Sequence, residues 1–96
     1  MAKRLARRLS LANIADLFEF KGSAIADVTV PAELAGQPLR QLDLRNRYNI
    51  TILVIRDASG ANEKAIGPET VLDEGDLLTV FGGQQAIIDL FKGKKS

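Results

Sequence analysis

The chain contains no cysteine, histidine or tryptophan, and aromatic residues make up only 5% of its 96 residues. Without cysteine it can form no disulfide, no thiolate nucleophile and no thiolate metal site. Without histidine it also lacks the commonest general base and the commonest transition-metal ligand. Carboxylates, lysines, hydroxyls and Tyr48 are the groups left for chemistry, so we predict that the chain is not an enzyme, with no catalytic residue and no metal site.

Long apolar runs are also missing. The longest uninterrupted one, residues 52–55, is far below the ~20 residues that a membrane-spanning helix needs. Residues 1–11 lack the apolar stretch of a signal peptide. The hydrophobic fraction of 46% nevertheless supports a packed core. We therefore expect one small globular domain located in the cytoplasm.

Charge is distributed unevenly along the chain, although the net charge is only +1. Seven of the thirteen basic residues lie in the first eight and last five positions, and all twelve acids lie between them. An acidic body is a poor partner for nucleic acid phosphates, so no nucleic acid partner is expected. The basic ends are interpreted as solvated tails, and contact with a nucleic acid or an anionic membrane surface is the alternative.

The first twenty residues have an apolar spacing typical of helix. Residues 2–9 form a basic segment, and Ser10 is a candidate N-cap for a second segment. The stripe of that second segment consists of Leu11, Ile14, Leu17 and Phe18. We interpret residues 1–20 as a helical connector from an upstream domain; a terminal helix folded back on the domain is the alternative.

The next part of the chain reads as a strand followed by two short helices. Residues 24–30 alternate between apolar and polar, which predicts a half-buried strand that ends at Pro31. Pro38 is placed to begin a helix, Asp43 to cap a second one, and Asn49 to close it in the left-handed conformation.

Three strands and a helix are predicted to complete the domain. Residues 50–56 are almost wholly apolar, which favours a central strand covered on both faces. After a turn at 57–62, residues 63–66 should return antiparallel, and residues 77–81 form a further strand. Gly82 and Gly83 should break that strand before a last helix with an apolar stripe of Ile87, Ile88, Leu90 and Phe91. The fold class is therefore α+β, a small mixed and mainly antiparallel sheet with helices packed on it, over residues 24–91, followed by a basic tail at 92–96.

Two motifs that suggest binding loops are better explained as turns with a structural role. Asp73, Glu74 and Asp76 crowd a tight turn around Gly75, whereas a calcium loop spreads its ligands over about twelve residues. The Gly82–Gly83 pair precedes a helix but carries neither a GxGxxG pattern nor a following lysine. We interpret the first as an acidic turn and the second as a sharp strand-to-helix turn.

A cluster of charged residues marks the predicted central helices. Arg40, Asp43, Arg45 and Arg47 lie on or beside them, where guanidinium groups could grip a phosphate with two hydrogen bonds. A solvated helix face is the alternative reading of the same cluster.

The segments "VTVPAELAGQPLRQLDLRNRYNITILVIRD" and "PETVLDEGDLLTVFGGQQAIIDL" resemble the TrkA C-terminal family, also called the RCK C-lobe, over about residues 24–90. The leading "AKRLARRLSLANIADLFEF" is similar to the crossover helices that join a Rossmann lobe to this lobe in Ktr-type potassium-uptake regulators. The resemblance implies a βαβββα-like lobe that forms a homodimer. It also implies a membrane potassium channel or transporter subunit as partner, and hence a cytoplasmic location peripheral to the inner membrane.

The same resemblance implies a ligand, cyclic di-AMP, bound at the dimer interface without any required cofactor. Carried over to this chain, Arg45 would hold the phosphates and Asp43 would orient nearby. Thr51 stands where ligand-binding members often place an asparagine, and no histidine supplies the contact that some members make. The predicted ligand-binding residues are Leu39, Asp43, Leu44, Arg45, Ile50, Thr51, Ile66 and Pro68. A purely structural dimerisation or docking module without a ligand is the alternative function.

Overall fold

The computed structural model describes residues 13–91 as a five-stranded sheet with helices packed on it. The strands are β1 (Ile14–Phe20), β2 (Ser23–Thr29), β3 (Thr51–Arg56), β4 (Glu63–Lys64) and β5 (Leu77–Gly83). The helices are a 3₁₀ turn (Ala32–Leu34), α1 (Leu39–Leu42), α2 (Leu44–Tyr48) and α3 (Gln84–Phe91). The predicted α+β class is confirmed. Within residues 13–91 the sheet is antiparallel throughout, in the order β1-β2-β5-β3-β4, and not mixed.

Strand β1 corrects the prediction of a helix up to residue 20. Its register shifts between Ile14, which pairs with Val28, and Asp16, which pairs with Asp27. This β-bulge inserts one extra residue, so Ile14 and Leu17 both point into the core although they are three positions apart. A three-residue apolar spacing was therefore mistaken for helical periodicity. The rest of the predicted connector, residues 1–12, and the basic tail at 92–96 lie outside the described residues.

A two-residue turn joins β1 to β2. Lys21 and Gly22 both have positive φ, 56° and 86°, and Phe20 pairs with Ser23 across the turn. Two successive left-handed residues match the type I′ turn, whose twist fits the twist of antiparallel strands. Lys21 and Gly22 therefore form the turn of a tight hairpin.

The hydrophobic core lies on one face of the sheet. In β2 the side chains of Ala24, Ala26 and Val28 are buried, and the intervening residues are not, as the alternating pattern predicted. Helix α3 packs against β1, β2 and β5. Its Ile87 and Phe91 are fully buried, which confirms the apolar stripe predicted for the last helix. No helix among residues 13–91 has the length and apolar character needed to cross a bilayer.

The opposite face of the sheet presents large apolar side chains to solvent. Phe18 pairs with Ile25, and Ile25 pairs with Phe81, so the three form a row across β1, β2 and β5. Phe18 is 49% exposed and Phe81 39%. In β3, Leu53 is 46% exposed, so the prediction that this strand is covered on both faces is wrong. We call Phe18, Ile25 and Phe81 the aromatic row.

Candidate ligand-binding cleft

A cleft of about 270 Å³ opens beside the first residues of β3. One wall is built by α1 and α2, and the other by the loop between β4 and β5. The residues that line it are Leu39, Arg40, Asp43, Leu44, Arg45, Ile50, Thr51, Ile52, Ile66, Gly67 and Pro68. The structure thus brings all eight predicted ligand-binding residues to one surface, and their role in binding stays a prediction.

The helical wall depends on two residues in the left-handed conformation. Asp43 has φ 50° and ψ 50°, and its backbone N–H donates to Leu39 O, which ends α1 after four residues. Asn49 has φ 58° and ends α2. Asparagine and aspartate tolerate this conformation better than other non-glycine residues, so the chain can turn twice within a short segment and enter β3 directly.

Asp43 does not cap α2 with its side chain, although a capping role was predicted. Its Oδ1 instead accepts a hydrogen bond from Asn46 Nδ2 at 2.9 Å. An ordinary N-cap residue has an extended backbone. Because the backbone of Asp43 is in the left-handed region, its side chain is not placed to cap the helix. The prediction of Asn49 as the closing residue is confirmed.

The loop wall is attached to α1 by backbone hydrogen bonds. Leu39 N–H donates to Thr70 O and Arg40 N–H to Pro68 O, each at 2.9 Å. The Thr70 hydroxyl donates to Ala65 O at 2.8 Å and accepts from Gly67 N–H at 3.1 Å. The two donors come from the first turn of α1, where helical N–H groups have no partner within the helix. These bonds hold Ile66 and Pro68 opposite the helical wall.

The lining of the cleft combines an apolar base with two cationic side chains. Ile50 is fully buried and Leu44 is 5% exposed, whereas Ile66 at the rim is 49% exposed. Arg40 and Arg45 are both exposed, and Asp43 lies between them in sequence. Such a surface suits a ligand with an apolar, flat body and negative charge, because guanidinium groups bind phosphate oxygens and aliphatic side chains pack on rings.

Only part of the charged cluster identified in the sequence lies in the cleft. Arg40, Asp43 and Arg45 line the cleft, but Arg47 does not. The Arg47 guanidinium lies over the Tyr48 ring, 5.4 Å from its centroid. Arg47 therefore belongs to the solvated helix face, as the alternative reading of the cluster had it.

Sequence reasoning left Arg40, Ile52 and Gly67 out of the predicted site. Gly67 could have been found from its neighbours, since Ile66 and Pro68 were both predicted to contact the ligand. Ile52 could have been found because it lies two residues after Ile50 in the predicted strand 50–56, and this spacing places strand side chains on one face. Arg40 was identified only as a member of the arginine cluster, because nothing in the sequence shows which way its side chain turns.

The acidic turn before β5 binds the side chain of a lysine. Lys64 Nζ donates to Asp76 Oδ2 at 2.7 Å and to Asp73 Oδ2 at 3.1 Å. The hydrogen bond that Lys64 donates to Asp76 is the main cause that raises the pKa of Lys64 above its ordinary value of 10.5. Across residues 13–91, no three carboxylates come together as a metal site would require.

The glycine pair at the end of β5 also has a structural role, although a different one from that predicted. Strand β5 continues through Gly83, and α3 begins directly at Gln84. A Cβ atom on Gly82 would lie 2.9 Å from Asn49 O and 3.2 Å from the Ile50 Cα. Gly82 is required because the segment entering β3 crosses this strand closely.

Comparison with known families shows the class of protein to which this chain belongs. A model of the TrkA-C domain matches residues 24–92. The chain therefore belongs to the TrkA-C domain family, which is regulatory and not enzymatic, and the prediction that it is not an enzyme is confirmed.

One relative extends the comparison. The chain is 30% identical over 83 residues to the Ktr system potassium uptake protein C of Bacillus subtilis (strain 168). The match covers 85% of this chain and 37% of the relative, so the chain spans little more than a third of that protein's length.

Proposed function

We propose that this chain is the regulatory lobe of a bacterial potassium-uptake system, and that two copies close around a small anionic ligand, cyclic di-AMP. Membership of the TrkA-C family and similarity to a Ktr potassium uptake protein support the transport context. The observation that carries the ligand is the cleft, where cationic Arg45 borders an apolar base formed by Leu44 and Ile50.

The proposed binding mode follows from the lining of the cleft. Arg45 makes no ion pair with any residue of 13–91, so its guanidinium is available to a phosphate. Leu39 and Ile66 supply apolar contact for an adenine above the buried Ile50, and the Thr51 hydroxyl supplies one polar group. A cyclic dinucleotide is itself two-fold symmetric, so on a dimer axis it would meet each of these residues twice.

In this proposal the dimer passes ligand binding to a membrane partner. A ligand that binds the closed pair of lobes more tightly than the open pair shifts the population towards closure. A potassium channel or transporter subunit at the cytoplasmic side of the membrane would respond to that shift. The proposed location of the lobe is thus peripheral to the inner membrane, through its partner.

Titration calorimetry of the chain with cyclic di-AMP tests the ligand. Arg45→Ala should abolish the binding heat or weaken affinity at least tenfold, since a charge-assisted pair to phosphate is lost. Arg47→Ala is the matched control, because Arg47 lies on the same helix but outside the cleft. Equal affinity of both variants would reject the site, and no heat from the wild-type chain would reject the ligand.

A second candidate function, a structural docking module that needs no ligand, is favoured by the aromatic row. An exposed apolar row across three strands is typical of an interface. The double variant Phe18→Thr, Phe81→Thr keeps side chains suited to strands while removing the apolar surface. Sedimentation equilibrium with and without cyclic di-AMP distinguishes the two functions. Dimerisation that occurs without ligand and disappears in this variant favours the docking module. Dimerisation that occurs only with cyclic di-AMP and persists in the variant favours the sensor.

A further inference from the structure

Arg40 lines the cleft, but its guanidinium is bound to a carboxylate of the chain itself. Arg40 Nε donates to Glu69 Oε2 at 2.9 Å. Arg40 belongs to α1, and Glu69 follows Pro68 in the opposite wall. The ion pair thus connects the two walls of the cleft at its rim. Arg45, the other cation of the lining, has no such partner among the described residues.

We propose that Arg40 is a second anion-binding residue of the cleft, and that Glu69 is an internal counter-ion which an anionic ligand must displace. This inference rests on the proposed function, since it concerns the same ligand site. It assigns to Arg40 a contact with phosphate that the family resemblance implied only for Arg45. It also gives Glu69, which does not line the cleft, a role in setting its affinity.

Because the Arg40–Glu69 pair is exposed, displacing Glu69 from Arg40 costs little free energy. The Arg40 side chain is 59% exposed and that of Glu69 75%. Exposed ion pairs change an equilibrium constant by a factor of roughly 1.5 to 5, because water screens them and two long side chains must be ordered. A phosphate bound between Arg40 and Arg45 gains two charge-assisted contacts, which outweigh the one that is lost.

Displacement would leave the cleft intact. The loop wall stays attached to α1 through the backbone bonds from Leu39 N–H to Thr70 O and from Arg40 N–H to Pro68 O. Only the Glu69 side chain has to move, and it is already largely in solvent. The backbone of Arg40 therefore remains fixed while its guanidinium exchanges one anion for another.

This arrangement selects among ligands by charge and reach. An anion that contacts only Arg45 leaves the Arg40–Glu69 pair in place. An anion whose negative groups reach both arginines replaces Glu69 and gains the second contact. The cleft should therefore prefer anions that reach both arginines over anions that contact only Arg45.

A double-mutant cycle on the full chain, measured by titration calorimetry with cyclic di-AMP, tests the proposal. Glu69→Gln should tighten binding by roughly 1.5-fold to 5-fold, because the competitor loses its charge. Arg40→Gln should weaken binding, and adding Glu69→Gln to it should change nothing further. Glu33→Gln is the matched control, since it removes the same charge from the exposed 3₁₀ turn away from the cleft.

Three results would contradict the proposal in distinguishable ways. If Glu69→Gln changes affinity no more than Glu33→Gln does, Glu69 is not a competitor, while the proposed ligand stands. If Glu69→Gln still tightens binding in the Arg40→Gln background, its effect is general electrostatics and not release of Arg40. If neither the wild-type chain nor any variant binds cyclic di-AMP, the proposed function fails, and this inference fails with it.

Discussion

Lys64 Nζ lies 2.7 Å from the Oδ2 atom of Asp76, a carboxylate whose side chain is only 3% exposed. The same oxygen accepts the backbone N–H of Asp73 at 3.0 Å. The pair ties the two-residue strand β4 to the turn that precedes β5. A buried carboxylate is tolerated when a charged partner and a backbone donor both satisfy it.

Removing this lysine should destabilise the fold. Lys64→Met leaves the buried Asp76 carboxylate without its counter-ion, and we expect the free energy of unfolding to fall by about 2–3 kcal/mol. Urea denaturation at neutral pH measures the change. The control is Glu63→Gln, a neighbouring exposed residue of the same strand, which should change stability by less than about 0.5 kcal/mol.

The pH dependence of the same pair follows from the direction of its pKa shift. Because pairing raises the pKa of Lys64, its contribution to stability is complete below the ordinary value of 10.5 and is lost as the pH rises above it. Wild-type stability should fall between pH 10 and 12 more steeply than that of Lys64→Met. Parallel alkaline profiles of the two proteins would contradict the pairing.

The two glycines at the end of β5 should differ sharply in their tolerance of alanine. Gly82→Ala would place a Cβ 2.9 Å from Asn49 O, a backbone atom that cannot move without shifting the entry to β3. We expect a loss of about 1–3 kcal/mol in the free energy of unfolding. Gly83→Ala meets nothing within 4 Å and should be neutral or slightly stabilising in thermal melts. Equal effects at both positions would contradict the close approach.

The turn between β3 and β4 should contribute to acid sensitivity. Hydrogen bonds from Ser59, and secondarily from Asn62, lower the pKa of Asp57 from 3.8 to about 2. Its contribution to stability is therefore present above pH 4 and is lost as the pH falls towards 2. Carbon-detected NMR titration should show the low pKa in the wild type and a value closer to 3.8 in Ser59→Ala, because Ser59 makes the largest contribution.

The hairpin between β1 and β2 offers a stabilising substitution. Lys21 holds φ at 56°, a conformation that costs lysine more than asparagine, because the short polar side chain of asparagine can hydrogen-bond locally. Lys21→Asn should raise the free energy of unfolding by about 0.5–1 kcal/mol. Lys21→Gln removes the same charge without relieving the backbone, so it should leave stability unchanged; a gain of equal size in Lys21→Gln would point to charge and not to conformation.

Elements with regular periodicity were predicted correctly from the sequence. The errors in β1 and β3 fall on β-bulges. Strand β2 and helix α3 follow ideal alternation and an ideal helical stripe, and both were predicted. Ile14 and Leu17 were assigned to a helix because a bulge in β1 gives strand residues a three-residue spacing. A second bulge, between Ile52 and Val54, lies where β3 was wrongly predicted to be covered on both faces.

The cleft was predicted by resemblance more than by physical pattern. Composition and spacing indicated only a cluster of arginines, and the resemblance selected Arg45 and the apolar residues around it. What neither could supply is the direction of the Arg40 side chain. That direction depends on Glu69, which is 29 positions away and approaches only because the loop wall bonds to α1.

Helices α1 and α2 have four and five residues. Segments of that length do not persist alone in water, since nucleation costs more than so few hydrogen bonds return. The backbone hydrogen bonds of Asp43 and Arg47, which donate to Leu39 O and Asp43 O, therefore persist only because the rest of the domain packs against these segments. For the ligand-binding role proposed above, the cleft then depends on the packing of the whole domain, and any lesion in the distant core lowers the fraction of molecules in which its helical wall is formed.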